Sequence, residues 1–306
     1  MRPTTFDEFV GQDDVKRQLN IALDAAKRND DVIDHVMLSG PPGLGKTTIA
    51  KIVANALGST CKETIASVLR TPQDIITSLV HLKRGDVLFI DEIHALPINV
   101  QEYLYTAMED YRISTISGAH TRRAINLDLK KFVLIGATTM EGLVSSPMLD
   151  RFGFVCRLRP YSEPNLAQIL LNAVNQQGTW RVEAGALEKI ANRARMTPRV
   201  ALRQLRRVKD MCYDKVITNV AVDGAFEMLG ITEYGLTHDD RSVLRVLHKT
   251  NRAMGLDALA AMCHSSRHTL EQVVEPHLMR MGFIQRMPRG RMITPEGSVI
   301  AEGLPE

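Results

Sequence analysis

One short stretch constrains this chain more than any other: Gly40-Pro41-Pro42-Gly43-Leu44-Gly45-Lys46-Thr47-Thr48. It fits the pattern G-x-x-x-x-G-K-[ST], with Gly40, Gly45, Lys46 and Thr47 on the fixed positions. The glycines let backbone N–H groups converge on phosphate oxygens with no Cβ in the way. Lys46 can then reach β and γ phosphates, and the Thr47 hydroxyl can ligate Mg²⁺. Such a loop needs a strand before it and a helix after it. Residues 34–38 read as a buried strand. Residues 48–57 read as an amphipathic helix ending at Gly58. The fold must therefore contain a phosphate-binding α/β unit.

A chain of 306 residues suggests two or three domains. Its 44% hydrophobic and 24% charged content is that of an ordinary globular protein. No secretory leader is read at the start, and no apolar run approaches the ~20 residues of a membrane span. Cys61, Cys156, Cys212 and Cys263 are far apart, which suggests neither a metal site nor a disulfide framework. The net charge of +3 says little, but its distribution says more. Seven Lys/Arg and no acid lie between Arg193 and Lys209. Four Arg and no acid lie between Arg280 and Arg291.

The first 158 residues alternate β-type and helical patterns. Runs at 36–39, 87–90, 132–136 and 154–158 read as strands, which predicts a parallel sheet covered by helices. Between 111 and 129 the alternation breaks. Ile113, Ile116 and Ile125 flank a polar tip over 117–123, the pattern of a projecting β-hairpin. Beyond 159 the chain turns helical, with Leu166, Ile169, Leu170 and Ala173 on one stripe. Further helices are expected over 184–195, 198–216 and 221–229. After a linker at 230–237, helical patterns at 241–249, 256–262 and 269–281 precede a β-ribbon over 283–294. Three helices and a ribbon make a winged helix-turn-helix, and Pro276 should kink its last helix. The expected class is α/β: a P-loop parallel-sheet domain with a hairpin insertion (1–158), a helical lid (159–235) and a winged helix (236–306).

Residues 87–94 form a hydrophobic strand ending in Asp91 and Glu92. Carboxylates at the carboxyl end of a parallel strand lie where open α/β sheets bind ligands. Asp91 would hold Mg²⁺, and Glu92 would orient or deprotonate an attacking water. For His94, with no partner acid visible, a structural or coupling role is expected. The strand-like run 132–139 ends in Thr139, placed to bond a γ-phosphate or the water, although a helix cap would explain the Thr-Thr pair equally well. Arg151 could lend charge to a transition state, or be a salt-bridged surface residue. Pro198 opens a helix, and Arg199 could reach back to the nucleotide or simply face solvent.

In this order the pieces resemble the AAA+ ATPases. The opening segment Arg2-Pro3 with Phe6 to Gln12, together with DHVMLSGPPGLGKTT, GDVLFIDEIH, AMEDY, LIGATT, DRFG, TPR, LRRVKD and RMPRGR, resembles more closely the RuvB family of bacterial Holliday-junction branch-migration motors. The resemblance runs over nearly the whole chain. It implies an ATP hydrolase coupled to DNA translocation, with ATP and Mg²⁺ as cofactors. Lys46, Thr47 and Thr48, with Gly43 and Gly45, would hold phosphate. Thr47 and Asp91 would hold the metal, with Glu92 beside Asp91. Thr139 would be the first sensor, Arg151 an arginine finger and Arg199 the second sensor. Arg2, Val10 and Tyr161 would line the base and ribose side. Glu109, Asp110 and Tyr111 match the segment that contacts a neighbouring subunit. Arg286 and Arg291, with Arg267 and Arg289, match the contacts to DNA phosphates. Also implied are a homo-hexameric ring on the duplex DNA of Holliday junctions, a RuvA-type partner on the hairpin 113–127, a possible RuvC-type resolvase contact, no membrane, and the bacterial cytoplasm.

The chain departs from the family at several places. Leu149 stands where many relatives carry Arg, 251–254 replaces a glycine-rich stretch, and 65–75 is altered. His120, Arg122 and Arg123 occupy the hairpin tip. Two other readings are weighed: a clamp-loader-like remodelling ATPase acting on protein–DNA complexes, and a nucleotide-gated DNA-binding regulator without turnover. The winged-helix pattern and RMPRGR weigh against the first. Glu92, Thr139 and Arg151 weigh against the second.

Overall fold

The computed structural model describes residues 2–117, 123–176, 178–212 and 214–304. They divide into two compact units, Met1–Ile169 with Thr197–Arg199, and Leu170–Met196 with Val200–Glu306.

The first unit opens with helix Asp13–Asn29 (α1), strand Val36–Ser39 (β1), helix Lys46–Ala56 (α2), strand Cys61–Ile65 (β2), helix Pro72–Val80 (α3) and strand Val87–Asp91 (β3). Helix Ile98–Asp110 (α4) leads into the hairpin Arg112–Ser117 (β4) and Arg123–Asp128 (β5). Strand Val133–Thr138 (β6), helix Ser146–Leu149 (α5) and strand Phe154–Arg157 (β7) follow. The five-stranded sheet runs β2-β3-β6-β1-β7, and every pairing in it is parallel. β1 and β6 are buried along their whole length, as expected where helices cover both faces. This order sets the carboxyl ends of β3, β6 and β1 side by side.

β2 was not expected. Its sequence Cys-Lys-Glu-Thr-Ile has no apolar run, because it is a partly exposed edge strand with a single neighbour. β6 runs to Thr138 and not to Gly136, and β7 stops at Arg157, one residue short of the expected Leu158. The expected hairpin is present as β4 and β5, and its tip, residues 118–122, lies outside the described residues. The buried His35 ring ties the sheet to α4. Its Nδ1 accepts from the Leu134 amide at 2.9 Å, and its Nε2 donates to the Met108 carbonyl at 3.2 Å. Burial lowers its pKa, in keeping with a neutral ring that both accepts and donates.

The second unit begins inside the helix Glu163–Asn175 (α6), taking its last six residues, Leu170–Asn175. It continues with strand Arg181–Val182 (β8), helices Ala186–Asn192 (α7) and Pro198–Asp210 (α8), strand Val216–Ile217 (β9) and helix Asn219–Met228 (α9). The helix expected over 198–216 therefore stops at Asp210, and residues 216–217 pair in parallel with β8. Helices His238–Thr250 (α10), Leu256–Met262 (α11) and Arg267–Thr269 (α12) come next. A π-turn at Leu270–Val274 precedes helix Glu275–Arg280 (α13), strands Ile284–Met287 (β10) and Gly290–Ile293 (β11), and helix Pro295–Glu302 (α14). The kink expected at Pro276 takes the form of this π-turn. Proline cannot donate to the carbonyl four residues back and would collide with it, and the wider i→i+5 register relieves both. α14 follows the ribbon where no helix was expected.

A buried polar knot joins Arg195 to the start of α10. The Arg195 guanidinium pairs with the fully buried Asp240, which also accepts from the Thr237 amide and hydroxyl in a capping box. The Arg195 Nε donates to the Gly235 carbonyl at 3.0 Å. His277 is buried beside this knot. Burial first, and then the Arg195 and Arg280 charges, push its pKa down to about 4, against the opposing pull of Asp240. The unfolded imidazole protonates near 6.5. The unfolded chain thus gains a proton that the folded chain refuses, and stability should fall as pH drops from about 6.5 towards 4. Denaturant melts across that range should show the loss, and His277→Gln should flatten it. An unchanged slope in that variant would place the acid sensitivity elsewhere.

Candidate nucleotide-binding site

The loop between β1 and α2 is held open by glycines at positive φ: Gly40 at 142°, Gly43 at 83° and Gly45 at 107°. All three positions also lack room for a side chain: a Cβ on Gly40 would lie 2.8 Å from the Leu158 carbonyl oxygen. A Cβ on Gly43 would lie 2.8 Å from Arg199 Cβ and 2.9 Å from Thr197 Cγ2, and one on Gly45 would lie 2.9 Å from the Phe9 ring. The N-terminal segment and the turn before α8 thus pack directly on the loop. Lys46 is buried, and its Nζ donates to the Gly40 carbonyl at 2.6 Å and the Pro41 carbonyl at 3.1 Å. Burial lowers its pKa, Glu92 and Asp91 oppose that shift, and Arg199 adds to it. Lys46 and Arg199 are therefore two cations over one glycine loop at a helix N-terminus, the arrangement a polyphosphate neutralises. The residues fit a nucleotide.

Asp91 ends β3, and its Oδ1 accepts from the Glu92 amide at 3.0 Å. Glu92 itself adopts left-handed backbone, φ 50° and ψ 46°, which turns the chain sharply after the strand. Its Oε2 accepts from the Thr139 hydroxyl at 3.0 Å and amide at 3.3 Å, and lies 3.3 Å from His94 Nδ1. His94 Nδ1 is also 2.8 Å from the Thr138 hydroxyl. The sheet order sets Asp91, Glu92 and Thr139 at one edge, and the charges of Asp91, Glu92 and, from the first turn of α8, Arg199 all act on Lys46. His94 does have a carboxylate neighbour after all. Thr47 and Thr48 are half-buried in the first turn of α2. Among the described residues no three His, Cys, Asp or Glu gather into a metal site. One hydroxyl and one carboxylate suit Mg²⁺, which keeps several waters and takes few protein ligands.

On the base side, Tyr161 is buried and donates its hydroxyl to the Leu44 carbonyl at 3.3 Å. Its ring lies against Gly11, next to Val10, and Arg2 is exposed. Phe9 was not singled out in the sequence. Its aromatic ring two residues before glycine was the available signal.

Arg151 sits apart from these groups. Its Nη2 pairs with Glu109 at 3.0 Å, its Nη1 donates to the Pro147 carbonyl at 2.6 Å, and its Cζ lies 4.4 Å from the centre of the Tyr105 ring. Glu109 and Asp110 end α4 on the surface, while the Tyr111 ring packs edge-on to Phe132.

In the second unit, Arg286 and Arg291 are cross-strand partners on one face of the β10–β11 ribbon. Both bind the buried Glu275, Arg291 at 2.9 Å and Arg286 through its Nε. Burial alone would raise the Glu275 carboxyl, but the two guanidinium hydrogen bonds outweigh it and hold it below its ordinary range. Arg286 stays 60% exposed, whereas Arg291 is only 16% exposed. Arg289 is exposed at the ribbon turn, and Arg267 pairs with Asp257 at 3.0 Å. Glu275 was missed in the sequence, because its burial depends on the ribbon folding back over α13.

Comparison with known proteins agrees over the whole length. Residues 1–158 match the Holliday junction DNA helicase RuvB P-loop domain, 161–232 the RuvB AAA lid domain, and 233–301 the RuvB C-terminal winged helix domain. The chain belongs to the RuvB family. It is similar to the solved Thermotoga maritima RuvB Holliday junction branch migration motor, at 40% identity over 99% of each chain and a TM-score of 0.87. A proline-to-glycine variant of that protein matches at 40% over 100% of each chain, with a TM-score of 0.88. The RuvB family is one of ATP-dependent Holliday junction helicases, so the P-loop of this chain is a nucleotide site. No helix among the described residues is long and apolar enough to cross a membrane.

Gly43→Ala adds a Cβ into the contact with Thr197 and Arg199 at a φ that alanine resists. It should weaken ATP binding roughly tenfold or more while leaving the fold intact. Equilibrium binding of a fluorescent nucleotide, with a melting control, checks this. Unaltered affinity would separate Arg199 from the nucleotide.

Proposed function

We propose that this chain is the ATP-hydrolysing motor subunit that drives branch migration of Holliday junctions, working as a homo-hexameric ring in the bacterial cytoplasm. The observation that carries this is the convergence of Lys46, Asp91, Glu92, Thr139 and Arg199 on one loop, with Arg151 held instead by Glu109, Pro147 and Tyr105.

In this reading Lys46, Thr47, Thr48 and the amides of Gly43 and Gly45 hold the phosphates, and Arg2, Val10 and Tyr161 frame the base and ribose. Thr47 and Asp91 hold Mg²⁺, which when bound neutralises phosphate charge. Glu92 takes the proton of the attacking water, and its contact with Thr139 aims the carboxylate. Thr139 and Arg199 sense the γ-phosphate. Arg151 serves the nucleotide of a neighbouring subunit, with Glu109, Asp110 and Tyr111 at the same seam. An arginine finger of this kind is worth ~10³–10⁵ in rate.

The chain works as three modules, 1–158, 159–235 and 236–306. The turn carrying Thr197 and Arg199 lies only a few residues from Arg195. Loss of the γ-phosphate can therefore be passed along the chain to the knot that holds α10, and so to the winged helix. There Arg286, Arg289 and Arg267 meet DNA phosphates, with Arg291 and Glu275 bracing Arg286. Phosphate contacts grip without reading sequence, so binding should be strongly salt-dependent. The hairpin 113–127 docks a RuvA-type partner. A remodelling ATPase is the weaker reading, because it gives no use for a braced basic ribbon.

Migration of a synthetic four-way junction tests the proposal. The protein with ATP, Mg²⁺ and a RuvA-type partner should move the junction. Arg151→Ala should lower turnover at least ~10³-fold while nucleotide still binds. ATP turnover with no junction movement under any partner condition would contradict the motor reading.

A further inference from the structure

We propose that Tyr105 is the positioning residue for Arg151, a platform that holds the guanidinium in place without using its donors. The inference rests on Arg151 acting as the finger. Tyr105 and Glu109 are four residues apart on α4 and share one face of it. Both touch Arg151, but they hold it differently.

Glu109 makes a charged pair at 3.0 Å and is 54% exposed. Such a pair is screened by solvent, and its carboxylate competes with phosphate for the same N–H groups. The Tyr105 ring is neutral and offers its face, 4.4 Å from Arg151 Cζ. Stacking leaves the in-plane donors of a guanidinium unspent. Of the five such donors, Pro147 and Glu109 engage one each, and the buried Nε has no hydrogen-bond partner among the described residues. The finger is thus fixed in plane and still able to donate.

The ring is itself braced. The Tyr105 hydroxyl donates to Gln101 Oε1 at 3.0 Å and lies 3.2 Å from Ser145 Oγ. Ser145 donates to the same Gln101 oxygen at 2.8 Å, and Gln101 Nε2 donates to the Leu96 carbonyl at 2.8 Å. Ser145 immediately precedes α5, the short helix that leads into Asp150 and Arg151. The network therefore locks the ring to the backbone that carries the finger. A partly buried aromatic with no role at the finger would not need both of these partners at its hydroxyl.

The test compares Tyr105→Leu, Tyr105→Phe, Arg151→Ala and the double variant Tyr105→Leu/Arg151→Ala in the assembled full-length protein with junction DNA. Tyr105→Leu should lower kcat by about 5- to 30-fold, the size of a lost cation–π contact, with nucleotide Kd within about twofold. Tyr105→Phe keeps the ring face and should retain at least about half the wild-type kcat. The double variant should be no slower than Arg151→Ala. If Tyr105→Leu fails to fold, Tyr105→Met fills the space without a ring face and takes its place. Equal damage from Tyr105→Phe and Tyr105→Leu, a loss that multiplies on that of Arg151→Ala, or wild-type kcat in Tyr105→Leu would each overturn the proposal. Full turnover by Arg151→Ala would overturn the finger reading itself, and Tyr105 with it.

Discussion

A buried ammonium governs how the first unit is built. Lys46 lies under the glycine loop, its hydrogen bonds among the described residues going to the Gly40 and Pro41 carbonyls, and burial opposes its charge. A cation in such a place is costly unless an anion meets it. The backbone around it fits that need. Three glycines at positive φ point amides inward, and α2 begins at Lys46 itself, adding its N-terminal dipole. The sheet order β2-β3-β6-β1-β7 then delivers Asp91, Glu92 and Thr139 to the same edge. Asp91, Glu92 and Thr139 are each placed at or just past a strand end, and Thr47 and Thr48 by the first turn of α2.

Arg151 is engaged by Tyr105, Glu109 and Pro147 on its own chain. In the proposed reading, the charge that a transition state needs would come from the next copy, which would make hydrolysis depend on ring formation. In the second unit the theme recurs at the wing. Glu275 is a buried carboxylate that survives because two guanidinium groups bond to it, and removing either would strand it.

The parts legible in the sequence were those in which backbone chemistry dictates residue type. Glycines at 40, 43 and 45, an apolar run closed by Asp91-Glu92, and Thr139 after another run could each be read because a strand end or a positive φ permits few alternatives. The edge strand β2 was hidden because partial exposure removes the apolar signal. The π-turn before Pro276 was hidden because a one-residue change of register leaves helical periodicity almost intact. Tyr105, Glu275 and His277 draw their roles from partners 11 to 46 positions away or from a knot across several elements, which no local pattern encodes. His94 looked isolated although its acidic neighbour Glu92 is only two residues away, because the sharp backbone turn at Glu92 leaves no mark in the sequence pattern; its second contact, Thr138, lies on β6.

The central claim is that each catalytic site is shared between two copies of the chain, and mixing defective subunits tests it most directly. Glu92→Gln subunits lack the base but keep a finger. Arg151→Ala subunits lack the finger but keep a base. If the site is shared, two inactive preparations should regain a sizeable fraction of ATP turnover when mixed with junction DNA. Mixtures that stay as inactive as either parent, under conditions where the two demonstrably co-assemble, would contradict the account.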